Sequence, residues 1–205
     1  MLTLAALSNP VAVSRGFEPG VIEQGSDEAL LSAIASGDRR AMQTLYQRHK
    51  VRVYRFVLRL VADAAVAEDI VSEVFLEVWR RAEGFKSKSR VSTWLLGIAR
   101  FKALSALRGR SHERIDDREA TAIADPADDA ETVADRQGRS AIVAECLSRL
   151  SAIHREVLDL VYYHEKSVDE VAAIVGAPAS TVKTRMFYAR KRMENLLGSA
   201  GLGRH

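Results

Sequence analysis

The sequence predicts an all-α fold of two small helical domains joined by a flexible acidic linker, the C-terminal domain being a helix-turn-helix. Three observations carry this expectation. Apolar residues recur at helical steps of three and four rather than alternating. Proline and glycine are scarce, 4 and 12 in 205 residues, and Ala with the aliphatics is abundant, which favours helix over strand. Charge is also unevenly spread. Residues 111–139 hold nine acids against four arginines, a net −5, which leaves +8 on the rest of a chain whose total is +3.

The elements follow in order. Residues 1–25, punctuated by Pro10, Gly16, Pro19, Gly20 and Gly25, are expected to form a flexible N-terminal tail. Asp27 is a candidate N-cap for a helix presenting Leu30, Leu31 and Ile34 and ending near Gly37. Asp38 can cap a second helix whose inner face carries Met42, Leu45, Tyr46, Val53, Phe56, Val57 and Leu60. A break at Ala62 and Asp63 precedes the clearest amphipathic helix, with Val66, Ile70, Val71, Val74, Phe75 and Val78 on one stripe. Gly84 ends it, and a polar, basic loop covers Phe85–Arg90. Helix resumes near Val91, with Trp94, Leu95, Ile98 and Ala99 inward, and runs to about Arg108. Residues 109–138 lose apolar periodicity, and 111–138 are expected to be an acidic linker.

Beyond it, Ile142, Val143, Cys146, Leu147 and Leu150 form one stripe, and Val157, Leu158, Leu160 and Val161 another. Ser167 with Glu170 three residues on has the pattern of a capping box. The short helix Val168–Val175 is expected to stop at Gly176, and Ser180 is a candidate N-cap for a helix from Thr181 to about Leu197. Val171, Val175 and Val182 can close a small core where these two helices cross.

Composition narrows the function classes. No apolar stretch is long enough to span a bilayer, and Met1–Val13 lacks a basic segment before it, so a secretory leader is not expected. The cytoplasm is therefore the expected location. Cys146 is the single cysteine and, among apolar neighbours, is expected to be a small core residue. The five histidines have no metal-ligand spacing, and no Gly-rich phosphate loop or nucleophile elbow occurs. No cofactor, metal or catalytic residue is implied, and no enzyme is expected.

Two constellations point to nucleic acid. A short helix, a tight turn and a basic second helix have the spacing of a helix-turn-helix. The second helix offers Ser180, Thr181, Lys183, Thr184, Arg185, Tyr188 and Arg190 outward, and residues 176–205 hold six Lys or Arg against Glu194 alone. Such a helix gains phosphate contacts by counterion release; the bland alternative is a helical hairpin with a solvated basic face. In the second constellation Lys86, Lys88, Arg90, Arg100, Lys102, Arg108 and Arg110 are interleaved with Phe85, Trp94 and Phe101. Aromatic faces in a basic groove can hold unstacked bases, although Trp94 at helical spacing also suits a core. Glu68, Asp69, Glu73 and Glu77 lie on the outer face of the amphipathic helix, where a solvated acidic face is the simplest account.

Taken together, the blocks Ala67–Trp79 and Ser92–Arg100, and the helix-turn-helix preceded by Leu150–Leu158, resemble the extracytoplasmic-function (ECF) branch of the sigma-70 superfamily. The resemblance runs from about Asp27 to Leu197. It implies a sigma region 2 domain over 26–110, binding core polymerase and the minus-ten element. It implies a region 4 domain over 139–198, binding the minus-thirty-five element, and a short tail over 199–205. Glu68, Asp69, Glu73 and Glu77 become candidate contacts to the beta-prime clamp of RNA polymerase, with the beta flap a further partner. Phe85, Lys86, Lys88, Arg90, Arg100, Phe101, Lys102 and Arg108 become candidate minus-ten contacts. An anti-sigma factor, often membrane-associated in such families, is a further implied partner; a small-molecule substrate is not. This chain departs from the family pattern at Phe101, where Asn is frequent, and at Ser105, where an acid is. The rival reading is a stand-alone helix-turn-helix regulator, which leaves residues 67–100 without a role.

Overall fold

The computed structural model describes residues 25–86, 89–113 and 133–201, with side chains for all of these except 110–113 and 133–140. The expected tail over 1–25, Gly25 apart, and most of the expected linker over 111–138 lie outside the described residues. Among the described residues every regular element is helical. Four helices precede the linker, α1 (Asp27–Ala35), α2 (Arg39–Val61), α3 (Ala64–Arg81) and α4 (Val91–Glu113), and a short 3-10 turn, Ala82–Gly84, follows α3. Four more follow it: α5 (Val133–Ser148), α6 (Ala152–Leu158), α7 (Val168–Val175) and α8 (Ala179–Ser199). A single π-helical turn, Asp159–Tyr163, extends α6.

In the N-terminal unit α2 is the central rod, packed on α1, α3 and α4. Its register follows from the heptad-like spacing of Leu45, Val53, Phe56 and Val57, all wholly buried, while Met42 and Leu60 pack at the margin. The amphipathic stripe of α3 buries Ile70, Val71, Val74, Phe75 and Val78 as expected, with Val66 half-buried. Tyr46 is exposed rather than inward, yet its ring meets Phe75 edge-on at 4.8 Å. From α4 come Leu95 and Ala99, both buried, with Trp94 and Ile98 packed at the edge.

The helix ends are set by local chemistry. Asp38 accepts hydrogen bonds from the backbone N–H groups of Arg40 and Ala41 at 2.7 and 3.2 Å. Asp63 likewise accepts from the N–H of Val66. Between them the chain reverses through Ala62, which adopts the left-handed conformation at φ 55°. Asp27 is not the cap of α1. Ser26 takes that place, its hydroxyl accepting from the N–H of Ala29, and Asp27 in the first turn reaches to α2 instead, pairing with Arg48 and His49. A carboxylate one residue inside a helix still favours its positive end, so the sequence signal marked the right turn and the wrong residue.

In the C-terminal unit α6 and α8 pack together, with α5 and α7 against α8. Cys146, Leu150, Val157, Leu160, Val171, Val175 and Val182 form the core, and Cys146 is buried as expected. The capping box is present in full. Ser167 Oγ accepts from the N–H of Glu170, and the Glu170 carboxylate accepts from the N–H of Ser167. Gly176 ends α7 at φ 65°, donating its N–H to the Ala172 carbonyl. Ser180 is not a cap: α8 starts earlier, with Pro178 at the N-cap position and Ser180 inside the first turn. Pro178 fixes φ near the helical value and lacks the N–H that a helix start would leave unpaired. Two elements are longer than expected, α4 running to Glu113 and α5 opening at Val133 within the span read as linker.

Candidate nucleic-acid interface

The helix-turn-helix presents its second helix as the sequence suggests. Val182, Met186 and Ala189 face the core, a repeat of four and three, which turns the intervening residues outward. Ser180, Lys183, Thr184, Tyr188 and Arg190 are exposed, and Thr181 and Arg185 are half-buried. Thr184 returns its hydroxyl hydrogen to the Ser180 carbonyl at 3.1 Å, which leaves the oxygen's lone pairs free to accept. Arg190 lies over the Tyr162 ring, 5.6 Å from its centroid. Sequence reasoning passed over Phe187, which is 61% exposed beside Tyr188 with ring centroids 5.4 Å apart. An apolar ring standing off the buried stripe was the signal for it.

The candidate minus-ten residues divide. Lys86 and Arg90 are exposed, as is Phe101 at 67%; Lys88 lies outside the described residues. Phe85 and Trp94 are half-buried and pack on each other with ring centroids 5.1 Å apart and planes tilted by 47°. The two aromatics nearest the basic loop therefore cover one another. Arg108 is exposed and donates to Ser105 Oγ at 3.2 Å. The remaining cations are engaged. Lys102 donates to Glu73 of α3 at 3.0 Å, and Arg100 forms a two-point bridge to Glu156 of α6 through Nε (2.6 Å) and Nη2 (3.3 Å).

On α3, Glu68, Asp69 and Glu73 are exposed and Glu77 is half-buried, bridged to Arg81 one turn on. The same helix leaves Leu76 and Trp79 exposed at 47% and 37%. These apolar residues, absent from the sequence-based set, turn a solvated acidic face into a mixed one suited to a protein partner. Their spacing of three beside the buried stripe was a readable signal.

Where α7 meets α4, two titratable groups are displaced from their ordinary behaviour. Burial lowers the Lys166 ammonium; Glu170 pulls it back up, and the charges of Arg90 and Arg52 push it down again. For Glu170 burial acts upward, but hydrogen bonds from Thr93 and Ser167 and the charge of Lys166 outweigh it and hold the carboxyl below its usual range. Among the described residues no group of three or more His, Cys, Asp and Glu could hold a metal ion. No helix is long and apolar enough to cross a membrane.

Comparison with known proteins bears on both units. The Sigma-70 region 2 family matches residues 45–113 and the Sigma-70, region 4 family matches residues 140–193. The ECF RNA polymerase sigma factor SigK of Mycobacterium tuberculosis is 34% identical over 175 residues, covering 83% of this chain and 92% of SigK. SigL of the same species is 31% identical over 180 residues, covering 86% and 99%. Among solved structures, CnrH in complex with the cytosolic domain of CnrY shares the fold at TM-score 0.62 and 24% identity, over 84% of this chain and 97% of that one. The sigma factor RpoE in complex with the anti-sigma factor NepR, from Bartonella quintana, aligns at TM-score 0.61 and 25% identity, over 74% and 95%. With helical units on either side of the linker, each matching a sigma-70 region in the expected order, the chain belongs to the ECF branch of the sigma-70 family.

Proposed function

We propose that this chain binds core RNA polymerase and directs it to promoters, catalysing nothing itself. The observation that supports this best is the ordered pair of regions on one chain, since a stand-alone regulator has no use for region 2. In this reading the α3 face, with Glu68, Asp69, Glu73 and Glu77 beside Leu76 and Trp79, meets the beta-prime clamp. Region 4 meets the beta flap. The basic loop and α4, with Phe85, Lys86, Lys88, Arg90, Arg100, Phe101, Lys102 and Arg108, read the minus-ten element. Helix α8 enters the upstream major groove with Ser180, Thr181, Lys183, Thr184, Arg185, Tyr188 and Arg190. The domain limits are proposed at 26–110 and 139–198, with 111–138 as the connecting strap.

Control by an anti-sigma factor is supported by the RpoE neighbour, which is bound to one. A membrane tether on that partner rests on family resemblance alone. Work on promoter DNA would put the chain in the cytoplasm.

Run-off transcription with core polymerase tests the reading, comparing wild type with Lys183→Ala/Arg185→Ala. The variant is expected to lose transcription, and to show a shallower salt dependence of promoter binding by about one unit for each phosphate contact removed. Absence of any transcript from wild type over a genomic promoter library would refute the proposal.

A further inference from the structure

The C-terminal unit meets α2 and α4 along a polar seam. Arg59 bridges to Asp159, Arg55 donates to the Tyr163 hydroxyl, and Arg100 is held by Glu156. At the head of α4, Thr93 donates to Glu170 at 2.6 Å and Ser92 accepts from Lys166 at 2.6 Å. Along most of its length the polar groups are matched. The exception is a groove between α2 and the first turn of α4, whose polar side is formed by His49, Arg52, Ser92, His164 and Lys166.

Cationic donors exceed acids there. Arg52 is exposed, as is Arg90 just ahead of α4, and among the described residues no carboxylate pairs with either. Lys166 is buried, with 8% exposure. Burial lowers its pKa most; Glu170 raises it, Arg90 and Arg52 lower it, and Glu165 raises it. Both guanidinium groups therefore bear on one ammonium. Of the two acids, Glu165 is exposed. Glu170 already accepts from Thr93 and from the Ser167 N–H, and stands 3.8 Å from the ammonium. His49 is taken by Asp27 at 2.6 Å. His164 has its Nε2 buried without a hydrogen-bond partner, the Asp159 carboxylate lying 3.5 Å off. Buried polar atoms are nearly always paired, so this nitrogen is a further available partner on the groove wall.

The backbone adds to the field. Ser92 stands in the first turn of α4, a helix of 23 residues, and the positive end of a helix dipole attracts anions. The Ser92 hydroxyl accepts from Lys166 and keeps its own hydrogen to donate. The enclosed depth of the groove has room for about one water. A larger ligand rests at the mouth, where Arg52 and Arg90 are.

We infer that the head of α4 is a phosphate-binding site. Arg52 and Arg90 hold the group at the mouth, and Lys166 and Ser92 back it from within. Donors converging from α2, from α4 and from the segment ahead of α7 suit a tetrahedral oxyanion, with acceptors on every side, better than a planar carboxylate. A small phosphate ester and the backbone of a nucleic-acid strand present the same oxygens, so either can supply the group. Arg52, Ser92 and Lys166 lie outside the contacts proposed above for DNA and polymerase; Arg90 is shared with them.

Thermal melting of the full-length chain with inorganic phosphate tests the site, against sodium chloride at equal ionic strength. Phosphate at ten times its Kd is expected to raise Tm by about 3–6 °C beyond the chloride control. Arg52→Ala should move half-saturation about tenfold higher. Arg39→Ala, an exposed cation of α2 outside the groove, should match wild type. Lys166→Met removes a buried group, so it is read by the increment that phosphate adds and not by its own Tm; that increment should be lost. Phosphate no better than chloride, or Arg39→Ala as damaging as Arg52→Ala, would overturn the site. Fluorescence anisotropy with a mixed-sequence single-stranded oligonucleotide then names the source. For a backbone phosphate, Arg52→Ala weakens oligonucleotide binding about tenfold and lowers its salt slope by about 0.7. For a small ester, oligonucleotide binding is the same in both proteins while the phosphate response still differs. The melting result does not depend on the proposed function, so a chain inactive in run-off transcription leaves it standing.

Discussion

Replacing Ser167 by Ala removes one bond of the reciprocal pair at the head of α7 and leaves the other. The Glu170 N–H loses its acceptor at 3.3 Å, while the Ser167 N–H keeps the Glu170 carboxylate at 3.0 Å, because that donor is backbone. Loss of an N-cap side chain costs about 1 kcal/mol; this cap is exposed, so water can replace part of the bond and the lower half of the usual range applies. The consequence for melting depends on what unfolds together. A loss of 1 kcal/mol shifts Tm by roughly 4–8 °C in a unit of 60–100 residues and by roughly 2–4 °C in one of 150–250. The C-terminal unit alone falls in the first class, and the whole chain in the second. Differential scanning calorimetry on Ser167→Ala is therefore expected to show a single transition lowered by about 2 °C. In Asp159→Arg, which removes the bridge to Arg59, the C-terminal transition should separate, and the same change should lower it by about twice that. Ser167→Asp, which keeps a capping oxygen, should melt near wild type in both backgrounds. A Tm unchanged by Ser167→Ala in either background would refute the assignment of the capping box as a stabilising element. An equal shift in both would refute the coupling.

Ala62 and Gly176 form a matched pair at left-handed positions, φ 55° and 65°. Ala62→Gly should raise stability by up to about 1 kcal/mol, since relief of left-handed strain outweighs the added chain entropy. Gly176→Ala should lower it by about 1 kcal/mol through the same strain without a clash, because a Cβ there meets nothing within 4 Å; urea denaturation reads both. Phe56, wholly buried and in ring contact with His164, should cost about 3–5 kcal/mol on replacement by Ala, measured in the same way. The seam should also respond to pH. The Glu170 carboxyl is held low in the folded chain, so its contribution is present above the ordinary carboxylate pKa, about 4.3, and is lost as pH falls through its lower folded value. Lys166 acts in the opposite range. Its lowered ammonium means the folded chain binds a proton less readily, so folding is favoured as pH rises toward about 10. Stability to urea should fall on acidification only below the first of these values; a loss that begins above it would contradict the assignment.

Features set by a few neighbouring residues were legible in the sequence. Asp38 at the head of α2, the Ser167–Glu170 box and the Gly176 stop each depend on atoms within four residues, and each is present. The apolar stripes of α2 and α3 were legible because helical periodicity is itself a pattern along the chain. Asp27 and Ser180 show where this ends. Each has a capping side chain at a helix start, yet Ser26 and Pro178 take the cap positions. The choice among adjacent candidates was made by Asp27 finding Arg48 and His49 more than twenty residues on. In the site, exposure of Lys183, Thr184 and Tyr188 followed from the stripe that buries Val182, Met186 and Ala189.

The seam was not legible at all, for a reason that bears on how such proteins are read. Its partners lie 56 to 108 residues apart, and each of its members looks ordinary in its own helix. Nothing in the pattern along the chain marks Arg55, Arg59, Glu156, Asp159 or Lys166. A core announces itself because apolar residues must be hidden in every state of the folded chain, which forces them into a periodic stripe. A surface hidden in one state and wet in another must remain polar, so its sequence is that of any solvated face. The polar character of the contact is what removes it from the sequence pattern. It follows that Arg100 could be assigned to DNA from composition without any sign that an acid of the same chain already holds it.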